Sequence, residues 1–328
     1  MQYYALFVHM IEVGVMGASG YAGRELCRLI AGHPSLSLAF ATAHEQRGES
    51  LALPGGKSVT FCAADDAPLS RAALVLSALP HGASRPSVEA ANAAGARVVD
   101  LSSDFRPGHG ADGGVPYGLT EVHRDAVRGA KLVANPGCYP TSILLALWPL
   151  LASGRLAPGT TIHASAASGV SGAGNSPKRE LLFGEVSGNF RAYGVGNSHR
   201  HLPEMRATLQ HFGADADLLF TPHLLPVTRG ILATVTVPVT EIGDDPAALW
   251  REHYAGERFI EIAGTPPALS DVTHRNVARI FVQRVAHVRT PTLLILCAID
   301  NLVKGAAGQA LQNANLMLGL DEGAGLPV

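Results

Sequence analysis

Hydrophobic and polar positions divide the first 140 residues into short apolar runs separated by segments with helical spacing. A short apolar run between turn signals is typical of a buried strand, whereas apolar residues at every third or fourth position indicate a helix. The predicted strands are residues 12–16, 36–42, 73–79, 96–101 and 131–134, and the predicted helices are residues 24–31, 84–94 and 122–128. This alternation favours an α/β fold with a Rossmann-type, doubly wound parallel sheet, whose ligands gather at the carboxyl ends of the strands.

The pattern changes after residue 141. A helix is expected to begin at Pro140, because a proline in the first helical position loses no hydrogen bond, and Pro149 is expected to end or kink this helix. Long runs rich in Val, Ile and Leu then predict a second, α+β domain with a mixed sheet that has helices on one face. These strands are residues 160–167, 218–220, 231–240, 277–285 and 293–299, and a last helix is expected over residues 301–318. Because such a sheet commonly packs against a copy of itself, we expect a homo-oligomer.

Glycines occupy positions 17, 20 and 23, directly after the first predicted strand and before the first predicted helix. A dinucleotide-binding loop requires this context, because glycines allow a tight turn and the helix N-terminus receives the pyrophosphate. The spacing is G-x-x-G-x-x-G and not the usual G-x-G-x-x-G, so a glycine-rich turn without a ligand is the alternative. We therefore expect the first part of the chain to bind a dinucleotide.

The end of the second predicted strand bears on the choice between NAD and NADP. Folds that bind NAD usually place an Asp or Glu there, where it binds a ribose hydroxyl. This chain instead has Thr42, Ala43 and His44 at the strand tip, with Glu45 beyond them and Arg47 nearby. A hydroxyl and basic groups, with no acid at the tip itself, favour the 2′-phosphate of NADP, although Arg47 fits a solvated loop equally well.

Cys138 lies within the segment Asn-Pro-Gly-Cys-Tyr-Pro-Thr at residues 135–141, between a predicted strand and a predicted helix. A thiol just before a helix meets unpaired N–H groups and the positive end of the helix dipole, so we expect a lowered pKa and a reactive thiolate. The alternative is a small buried hydrophobic residue, as most free cysteines are. A catalytic role is favoured, because Cys138 follows a strand at the same sheet edge as the glycine loop.

A thiolate beside a nicotinamide is typical of acyl-group reduction, in which a thioester forms on the sulfur and a hydride then reduces it. The reaction needs a general acid/base, and histidine is the natural choice. His199 and His201 precede Pro203, which marks a helix start, so both lie on the approach to a helix N-terminus. A zinc pair is the alternative, but no third ligand of suitable spacing stands nearby, and no metal site is predicted.

Composition and charge restrict the possible partners and compartments. The 328 residues have a formal net charge of −2, and acidic and basic residues are interspersed along the chain. We therefore expect neither a nucleic acid nor a membrane as a partner. Four scattered cysteines without CxxC spacing indicate reduced thiols and a cytoplasmic protein. The apolar residues 1–10 lack a basic n-region and a cleavage site, so we do not expect a signal peptide, and translation could start at Met1 or Met10.

Eight motifs of the chain occur together in one known family. The most specific is PGCYPT at residues 136–141. The others are GASGYAG at 17–23, LPHG at 79–82, DLSSDFR at 100–106, SGVSGAG at 168–174, HRHLPE at 199–204, TPHLLPVTRG at 221–230 and NLVKGAA at 301–307. With these motifs the chain resembles the N-acetyl-gamma-glutamyl-phosphate reductase family essentially from end to end. That family is similar in fold and mechanism to aspartate-semialdehyde dehydrogenase, which also uses a cysteine and a histidine.

The resemblance implies NADPH-dependent reduction of N-acetyl-L-glutamyl 5-phosphate to the 5-semialdehyde, with release of phosphate, in arginine biosynthesis. It implies Cys138 as the nucleophile and His199 as the acid/base, with His201 next in line and Glu204 as an orienting group. The expected cofactor contacts are Gly17, Ser19, Gly20, Tyr21, Ala22, Gly23, Thr42, His44, Arg47, Pro80, Ser171, Gly172 and Asn301. The expected substrate contacts are Arg106, Asn135, Ser168 and Lys178, with a plain surface charge as the alternative for Arg106 and Lys178.

We expect residues 1–141 and 301–328 to form the NADP-binding domain and residues 142–300 to form the catalytic and oligomerisation domain of a dimer or tetramer. A related alternative substrate is the one-carbon-longer aminoadipyl phosphate of lysine biosynthesis. The length of the substrate pocket decides between the two. An alternative from another functional class is a non-catalytic NADP-binding regulatory protein. The cysteine and the histidines argue against it, because such a protein does not need them. A cysteine hydrolase or acyltransferase does not explain the glycine loop.

Overall fold

The computed structural model describes residues 10–110 and 114–328. The expectation that residues 1–10 are not a signal peptide falls on residues 1–9 almost entirely, and these lie outside the described part of the chain. A start at Met1 lies outside it as well. Within the described ranges, no helix has both the length and the apolar character that are needed to span a lipid bilayer.

The first sheet is parallel throughout and has the strand order β2-β1-β5-β6-β7. In chain order, the elements of this part are β1 (Ile11–Met16), α1 (Tyr21–Ala31), β2 (Leu36–Ala41), β3 (Ser50–Ala52), β4 (Ser58–Thr60), β5 (Leu74–Ser77), α2 (Arg85–Ala93), β6 (Arg97–Asp100), α3 (Thr120–Val127) and β7 (Leu132–Ala134). The predicted Rossmann-type sheet is confirmed, and the small hairpin of β3 and β4 was not predicted. Because β2 lies on one side of β1 and β5 on the other, the strand order reverses at β1, where ligands of such sheets bind.

The second sheet is mixed, as predicted, and has the order β12-β13-β14-β11-β8-β10-β9. Its elements, in chain order, are α4 (Cys138–Ser153), β8 (Thr160–Gly169), α5 (Phe183–Val186), β9 (Arg191–Ala192), α6 (Leu202–His211), β10 (Ala216–Leu225), β11 (Ile231–Pro238), α7 (Ala248–His253), β12 (Ile260–Ile262), β13 (Ala278–Arg284) and β14 (Thr292–Ile299). The predicted strands agree with β8, β11, β13 and β14 to within two residues at each end, whereas β10 extends well beyond the predicted residues 218–220.

Strand β11 shows how the second sheet is packed. Ile231, Ala233 and Val235 are buried, and the residues between them are only half-buried. Helices α4, α6 and α7 contribute to the same apolar core as these buried residues, so they cover one face of the sheet. On the other face, Ala298 and Leu232 pack with Val272 and Val277 in a small separate cluster, whereas Leu219 is 39% exposed.

Helix α4 begins earlier than predicted. Gly137 is its N-cap and Cys138 its first residue, so Pro140 occupies the third position and not the first. A proline is tolerated there for the same reason as at the first position, because the N–H groups of the first turn have no partner within the helix. Cys138 therefore lies inside the first turn.

Helix α4 also continues past Pro149 to Ser153, so of the two expected effects, an end or a kink, the end at Pro149 is wrong. A proline removes the hydrogen bond to the carbonyl group four residues earlier, which here belongs to Leu145. The Tyr254 hydroxyl donates to that carbonyl oxygen at 2.6 Å and replaces the lost bond. Since Tyr254 lies more than a hundred residues further along the chain, the local pattern around Pro149 carries no sign of it.

The end of the chain returns to the first sheet. A π-helical turn (Val303–Ala307), in which backbone N–H groups bond carbonyl groups five residues back, leads into α8 (Gly308–Met317). Ala310 and Leu311 of α8 pack into the apolar core of the first sheet. The helix expected over residues 301–318 is therefore present, with an irregular first part of the kind that often occurs at functional sites.

Candidate active site

A cleft of about 480 Å³ opens where the parallel strands β1, β5, β6 and β7 end. Both sheets contribute loops to its wall, so the cleft lies between the two parts of the chain. The lining residues are 20–23, 78–81, 101, 106, 135–138, 171–176, 200, 201, 301, 302, 305 and 306.

The glycine loop brings the backbone close to the neighbouring strand end. Gly17 has a φ of +70°, and a Cβ there would lie 2.5 Å from the Ala78 carbonyl oxygen. A Cβ at Gly23 would overlap the Gly17 carbonyl oxygen, so α1 can approach the loop only with a glycine at this position. Gly20, the N-cap of α1, offers no side chain to the first-turn N–H groups. These groups remain available to an anion, as the pyrophosphate of a dinucleotide requires.

Cys138 lines the cleft at the start of α4 and is half-buried. The π-helical turn packs directly against it, since a Cβ at Gly305 would lie 2.8 Å from the Cys138 Cβ. Asn135 supports this turn, because its Nδ2 donates to the Ala306 carbonyl oxygen at 3.3 Å. The thiol is therefore held between the end of β7, the start of α4 and the π-helical turn.

The pKa of the Cys138 thiol lies above its ordinary value. Burial is the main cause, because it disfavours the charged thiolate. Arg200, the Tyr139 backbone N–H and Arg106 favour the thiolate, whereas Glu204 opposes it. The expectation of a lowered pKa is therefore wrong, since burial outweighs the helix N-terminus and both arginines. The resting residue is a neutral thiol, and it needs a base before it can react.

His201 lines the same cleft, is buried and forms the N-cap of α6. Its Nε2 lies beside the residue that precedes the cysteine, because a Cβ at Gly137 would be 2.7 Å from that nitrogen. Within the described ranges, its Nδ1 has no hydrogen-bond partner. Burial, together with the charges of Arg106 and Arg200, holds the His201 pKa well below its ordinary value. The imidazole is therefore neutral and able to accept a proton.

Glu204 connects the helix that follows His201 to the loop that precedes Cys138. Its buried carboxylate accepts hydrogen bonds from Arg106 Nη1 at 3.0 Å, from the Tyr117 hydroxyl at 2.9 Å and from the Gly137 backbone N–H at 3.2 Å. A buried carboxylate needs such partners, because an uncompensated charge costs about 3–5 kcal/mol. Both oxygens are thus engaged, and this arrangement suits the orienting role that was expected.

His199 lies outside the cleft lining. Its ring packs edge-on against Tyr139, Tyr193 and Phe220, with ring centroids 5.5, 5.5 and 5.4 Å away. Its Nδ1 accepts the backbone N–H of His201 at 3.1 Å, so His199 fixes the loop that carries His201. For the zinc alternative, the described part of the chain contains no group of three or more His, Cys, Asp or Glu residues that could hold a metal ion.

Comparison with known proteins identifies the family. Residues 12–130 match the family described as semialdehyde dehydrogenase, NAD binding domain, and residues 138–301 match semialdehyde dehydrogenase, dimerisation domain. The N-acetyl-gamma-glutamyl-phosphate reductase of Halorhodospira halophila is 45% identical over 97% of this chain and 98% of that protein. The chain belongs to the N-acetyl-gamma-glutamyl-phosphate reductase family. The reductase of Cellvibrio japonicus is 41% identical over 97% of this chain and 99% of that protein, and the predicted resemblance is thus confirmed.

Solved structures share the fold of this reductase family member. Aspartate semialdehyde dehydrogenase II of Vibrio cholerae, solved in complex with ASA, aligns with a TM-score of 0.78 at 20% identity, over 95% of this chain and 99% of that chain. The aspartate semialdehyde dehydrogenase of Candida albicans, solved with NADP, aligns with a TM-score of 0.72 at 14% identity, over 94% of this chain and 98% of that chain. At these identities the likeness concerns the fold, and it confirms the predicted fold class.

Many of the contacts expected for a reductase of this family lie in the cleft lining. They are Gly20, Tyr21, Ala22, Gly23, Pro80, Arg106, Asn135, Cys138, Ser171, Gly172, His201 and Asn301. Asn301 joins two of the loops, because its Nδ2 donates to Ser171 Oγ at 2.9 Å and its Oδ1 accepts the Gly230 N–H at 2.7 Å. The structure therefore brings the proposed nucleophile, one histidine and the glycine loop together.

Other expected contacts lie outside the lining. Thr42 is buried, and its Oγ1 accepts the Gly17 N–H at 3.2 Å, so it supports the glycine loop from one side. Lys178 is exposed and does not line the cleft. The remaining residues outside the lining are Gly17, Ser19, His44, Arg47, Ser168, His199 and Glu204. Their direct contact with cofactor or substrate stays a prediction.

Sequence reasoning missed His81, Arg200 and Gly305, which all line the cleft. His81 Nδ1 accepts the Ser103 backbone N–H at 2.9 Å, and burial, aided by Arg200 and Arg106, lowers its pKa to about 3. A signal existed for the first two, since His81 follows a predicted strand and Arg200 stands between the two candidate histidines. Gly305 gave no signal of this kind, because its role is a close backbone contact with a residue distant in sequence.

Proposed function

We propose that this chain catalyses the NADPH-dependent reduction of N-acetyl-L-glutamyl 5-phosphate to N-acetyl-L-glutamate 5-semialdehyde and phosphate, in arginine biosynthesis. The observation that carries the proposal is that Cys138 and His201 line one cleft together with the glycine loop. A thiol, a base and a dinucleotide loop are the groups that reduction of an acyl phosphate requires. The 45% identity to the reductase of Halorhodospira halophila supports this substrate.

The proposed cofactor is NADP(H). The N-terminus of α1, with Gly20 as N-cap and Tyr21, Ala22 and Gly23 in the lining, would hold the pyrophosphate. Thr42 follows β2 where a fold that binds NAD usually has an acid, and this favours the 2′-phosphate of NADP. When bound, NADPH supplies the hydride that reduces the thioester.

Cys138 is proposed to attack the carbonyl carbon of the acyl phosphate. The neutral imidazole of His201 accepts the thiol proton as the S–C bond forms and the bond from carbon to the phosphate oxygen breaks, which leaves a thioester and phosphate. After reduction, His201 returns its proton to the oxygen of the tetrahedral adduct. His201 then takes up the hydroxyl proton and passes it to the sulfur as the S–C bond breaks, which releases the aldehyde and restores the Cys138 thiol.

We assign the acid/base role to His201 in preference to His199. His201 lies beside Gly137 and has a ring nitrogen without a partner in the described part of the chain. His199 instead packs among aromatic rings, and its Nδ1 already accepts a backbone N–H. Glu204 is a positioning residue in this proposal, because its carboxylate binds the Gly137 N–H next to the nucleophile.

A homo-oligomer, either a dimer or a tetramer, is proposed to form through the second sheet. Residues 138–301 match a family described as a dimerisation domain. The sheet face opposite α4 carries Leu219, which is exposed, and Leu296, which is half-buried, in the single chain. A second copy on this face would remove these side chains from water, which favours association.

The proposed domains are residues 1–141 with 301–328 for NADP binding and residues 142–300 for catalysis and oligomerisation. The packing of α8 into the core of the first sheet supports the inclusion of the chain's end in the first domain. We also propose a cytoplasmic location. The free thiols of the four cysteines support it, because thiols remain reduced in that compartment.

The test is phosphate-dependent formation of NADPH by the purified protein from N-acetylglutamate semialdehyde and NADP. Cys138→Ser is expected to lower this rate by about a thousandfold or more, because a hydroxyl replaces the nucleophilic thiol. Binding of NADPH, measured by fluorescence titration, should remain close to that of the wild type. Cys62→Ser is the matched control, since Cys62 is also a free cysteine but does not line the cleft. A serine variant with near-wild-type rates would refute the covalent mechanism.

The same assay decides between the two candidate substrates. The rate with N-acetylglutamate semialdehyde is expected to exceed the rate with the one-carbon-longer aminoadipate analogue, because the extra methylene must fit the same cleft. Discrimination by one methylene is usually about 10–200-fold. Faster turnover of the longer semialdehyde would move the proposal to lysine biosynthesis.

A further inference from the structure

The proposed substrate carries a phosphoryl group, and the two cations expected from the sequence differ in what they offer to it. Arg106 is buried and uses three of its five N–H donors within the protein: Nε donates to the Asn135 carbonyl oxygen at 2.8 Å, Nη1 to Glu204 at 3.0 Å and Nη2 to the Leu101 carbonyl oxygen at 2.6 Å. An arginine held in this way cross-links the protein. Lys178 is exposed and lies outside the cleft lining.

Arg200 lines the cleft and is exposed to solvent. Across residues 10–110 and 114–328, the structure contains no hydrogen bond or ion pair of its guanidinium group. The charge of Arg200 acts on the reacting sulfur. Burial raises the pKa of the Cys138 thiol, and among the groups that lower this pKa Arg200 has the largest effect. A cation that lines the same open cleft as the nucleophile, without an acceptor in the described part of the chain, is suited to an anionic ligand.

We propose that Arg200 binds the phosphoryl group of the acyl phosphate and, in the reverse direction, inorganic phosphate. The inference rests on the proposed function. The phosphoryl group is bonded through oxygen to the carbon that Cys138 attacks, so it lies beside the nucleophile, whereas the α-carboxylate is at the other end of the carbon chain. A guanidinium presents paired N–H donors that match two phosphate oxygens, and its charge stabilises the leaving phosphate.

The test uses the full-length protein in the oxidative direction, where inorganic phosphate is a substrate in its own right. Arg200→Gln is expected to raise the KM for phosphate at least about tenfold and to leave the KM for N-acetylglutamate semialdehyde within about twofold of the wild type. Arg200→Lys should recover part of the loss, because it keeps the charge without the paired donors. Arg206→Gln is the matched control, since Arg206 is exposed on α6 and outside the lining, and it should change neither KM.

Protection of the thiol gives a second readout that needs no turnover. Inorganic phosphate should slow the alkylation of Cys138 by iodoacetamide in the wild type and in Arg206→Gln, because phosphate bound at Arg200 covers the sulfur. The same concentration of phosphate should give no protection in Arg200→Gln. Mass spectrometry of the Cys138 peptide measures the extent of alkylation in each protein.

The possible outcomes separate this inference from the proposed function. An unchanged KM for phosphate together with unchanged protection in Arg200→Gln would overturn the inference, and so would a defect confined to the KM of the semialdehyde, which would assign Arg200 to the carboxylate. If Arg200→Gln did not fold, an unchanged phosphate KM in Arg200→Lys would overturn it equally. A wild-type protein without phosphate-dependent turnover would instead refute the proposed function.

Discussion

Burial shifts Cys138 and His201 toward their neutral forms. It raises the pKa of the thiol and lowers the pKa of the imidazole, so both groups are uncharged at neutral pH. A permanent thiolate–imidazolium pair would be reactive toward any electrophile. In this chain the thiolate forms only as the proton passes to a base, which ties its reactivity to the presence of a substrate.

The pH dependence of Cys138 alkylation follows from this charge state. The reactive form is the thiolate, and a raised pKa moves the thiolate fraction to higher pH, so the alkylation rate should still be rising at pH 9.0, the ordinary thiol pKa. Iodoacetamide labelling of the free protein from neutral to alkaline pH, with Cys138→Ser as the blank, measures the profile. A rate that reaches its plateau near neutral pH would contradict the raised pKa.

Helix α4 depends on α7 across its internal proline. Tyr254, which follows α7, donates to the Leu145 carbonyl oxygen that Pro149 leaves without a helical partner. Trp250 of α7 supports the same turn, because its Nε1 donates to the Ala146 carbonyl oxygen at 2.9 Å. Side chains of α7 and of its C-cap residue thus satisfy two backbone carbonyl groups of the helix that begins with the nucleophile.

Tyr254→Phe should lower the free energy of unfolding by about 1–3 kcal/mol, because it leaves the buried Leu145 carbonyl group without a donor. Urea unfolding followed by circular dichroism measures this loss. Ser50→Ala is the control, since it removes only an exposed hydroxyl–hydroxyl hydrogen bond and should stay within about 0.5 kcal/mol of the wild type. A Tyr254→Phe variant as stable as this control would mean that the proline is tolerated for another reason.

Across the whole molecule, the features that depend on local periodicity were predictable and those that depend on distant partners were not. The strands β1 and β14 have their own apolar signature, and the glycine loop has its own spacing. The charge state of Cys138 depends on burial by segments from both parts of the chain. The engagement of Arg106 depends on Glu204, and the course of α4 through Pro149 depends on Tyr254. No local pattern carries these pairings, because the fold alone brings the partners together.

Arg229 joins the two parts of the chain through an ion-pair bridge. Its Nη2 donates to the Glu25 carboxylate on α1, and its Nη1 donates to Asp300 Oδ2, at the end of β14, at 3.2 Å. The side chains of Arg229, Glu25 and Asp300 are only 12%, 8% and 0% exposed. Because α1 begins at the glycine loop and Asp300 precedes Asn301, the bridge ties the proposed cofactor helix to the second sheet.

Arg229→Met should lower the free energy of unfolding by about 3–5 kcal/mol, because two buried carboxylates lose their cation. NADPH binding, measured by fluorescence titration, should weaken as well, since α1 is no longer fixed against the second sheet. Arg251→Met is the matched control: its pair with Asp245 has side chains 51% and 54% exposed, and such a pair contributes about 0–1 kcal/mol.

The double variant Arg229→Met/Glu25→Gln identifies the origin of that loss. The double variant removes the charge of Glu25, one of the two carboxylates that lose their cation in Arg229→Met. It should therefore be more stable than Arg229→Met, and the stability that it still lacks relative to the wild type reflects Asp300. If the single variant unfolds like Arg251→Met, apolar packing alone holds the two parts together and the bridge has no role. If stability falls but NADPH affinity does not, α1 keeps its position without Arg229, and the coupling of the bridge to the cofactor site is refuted.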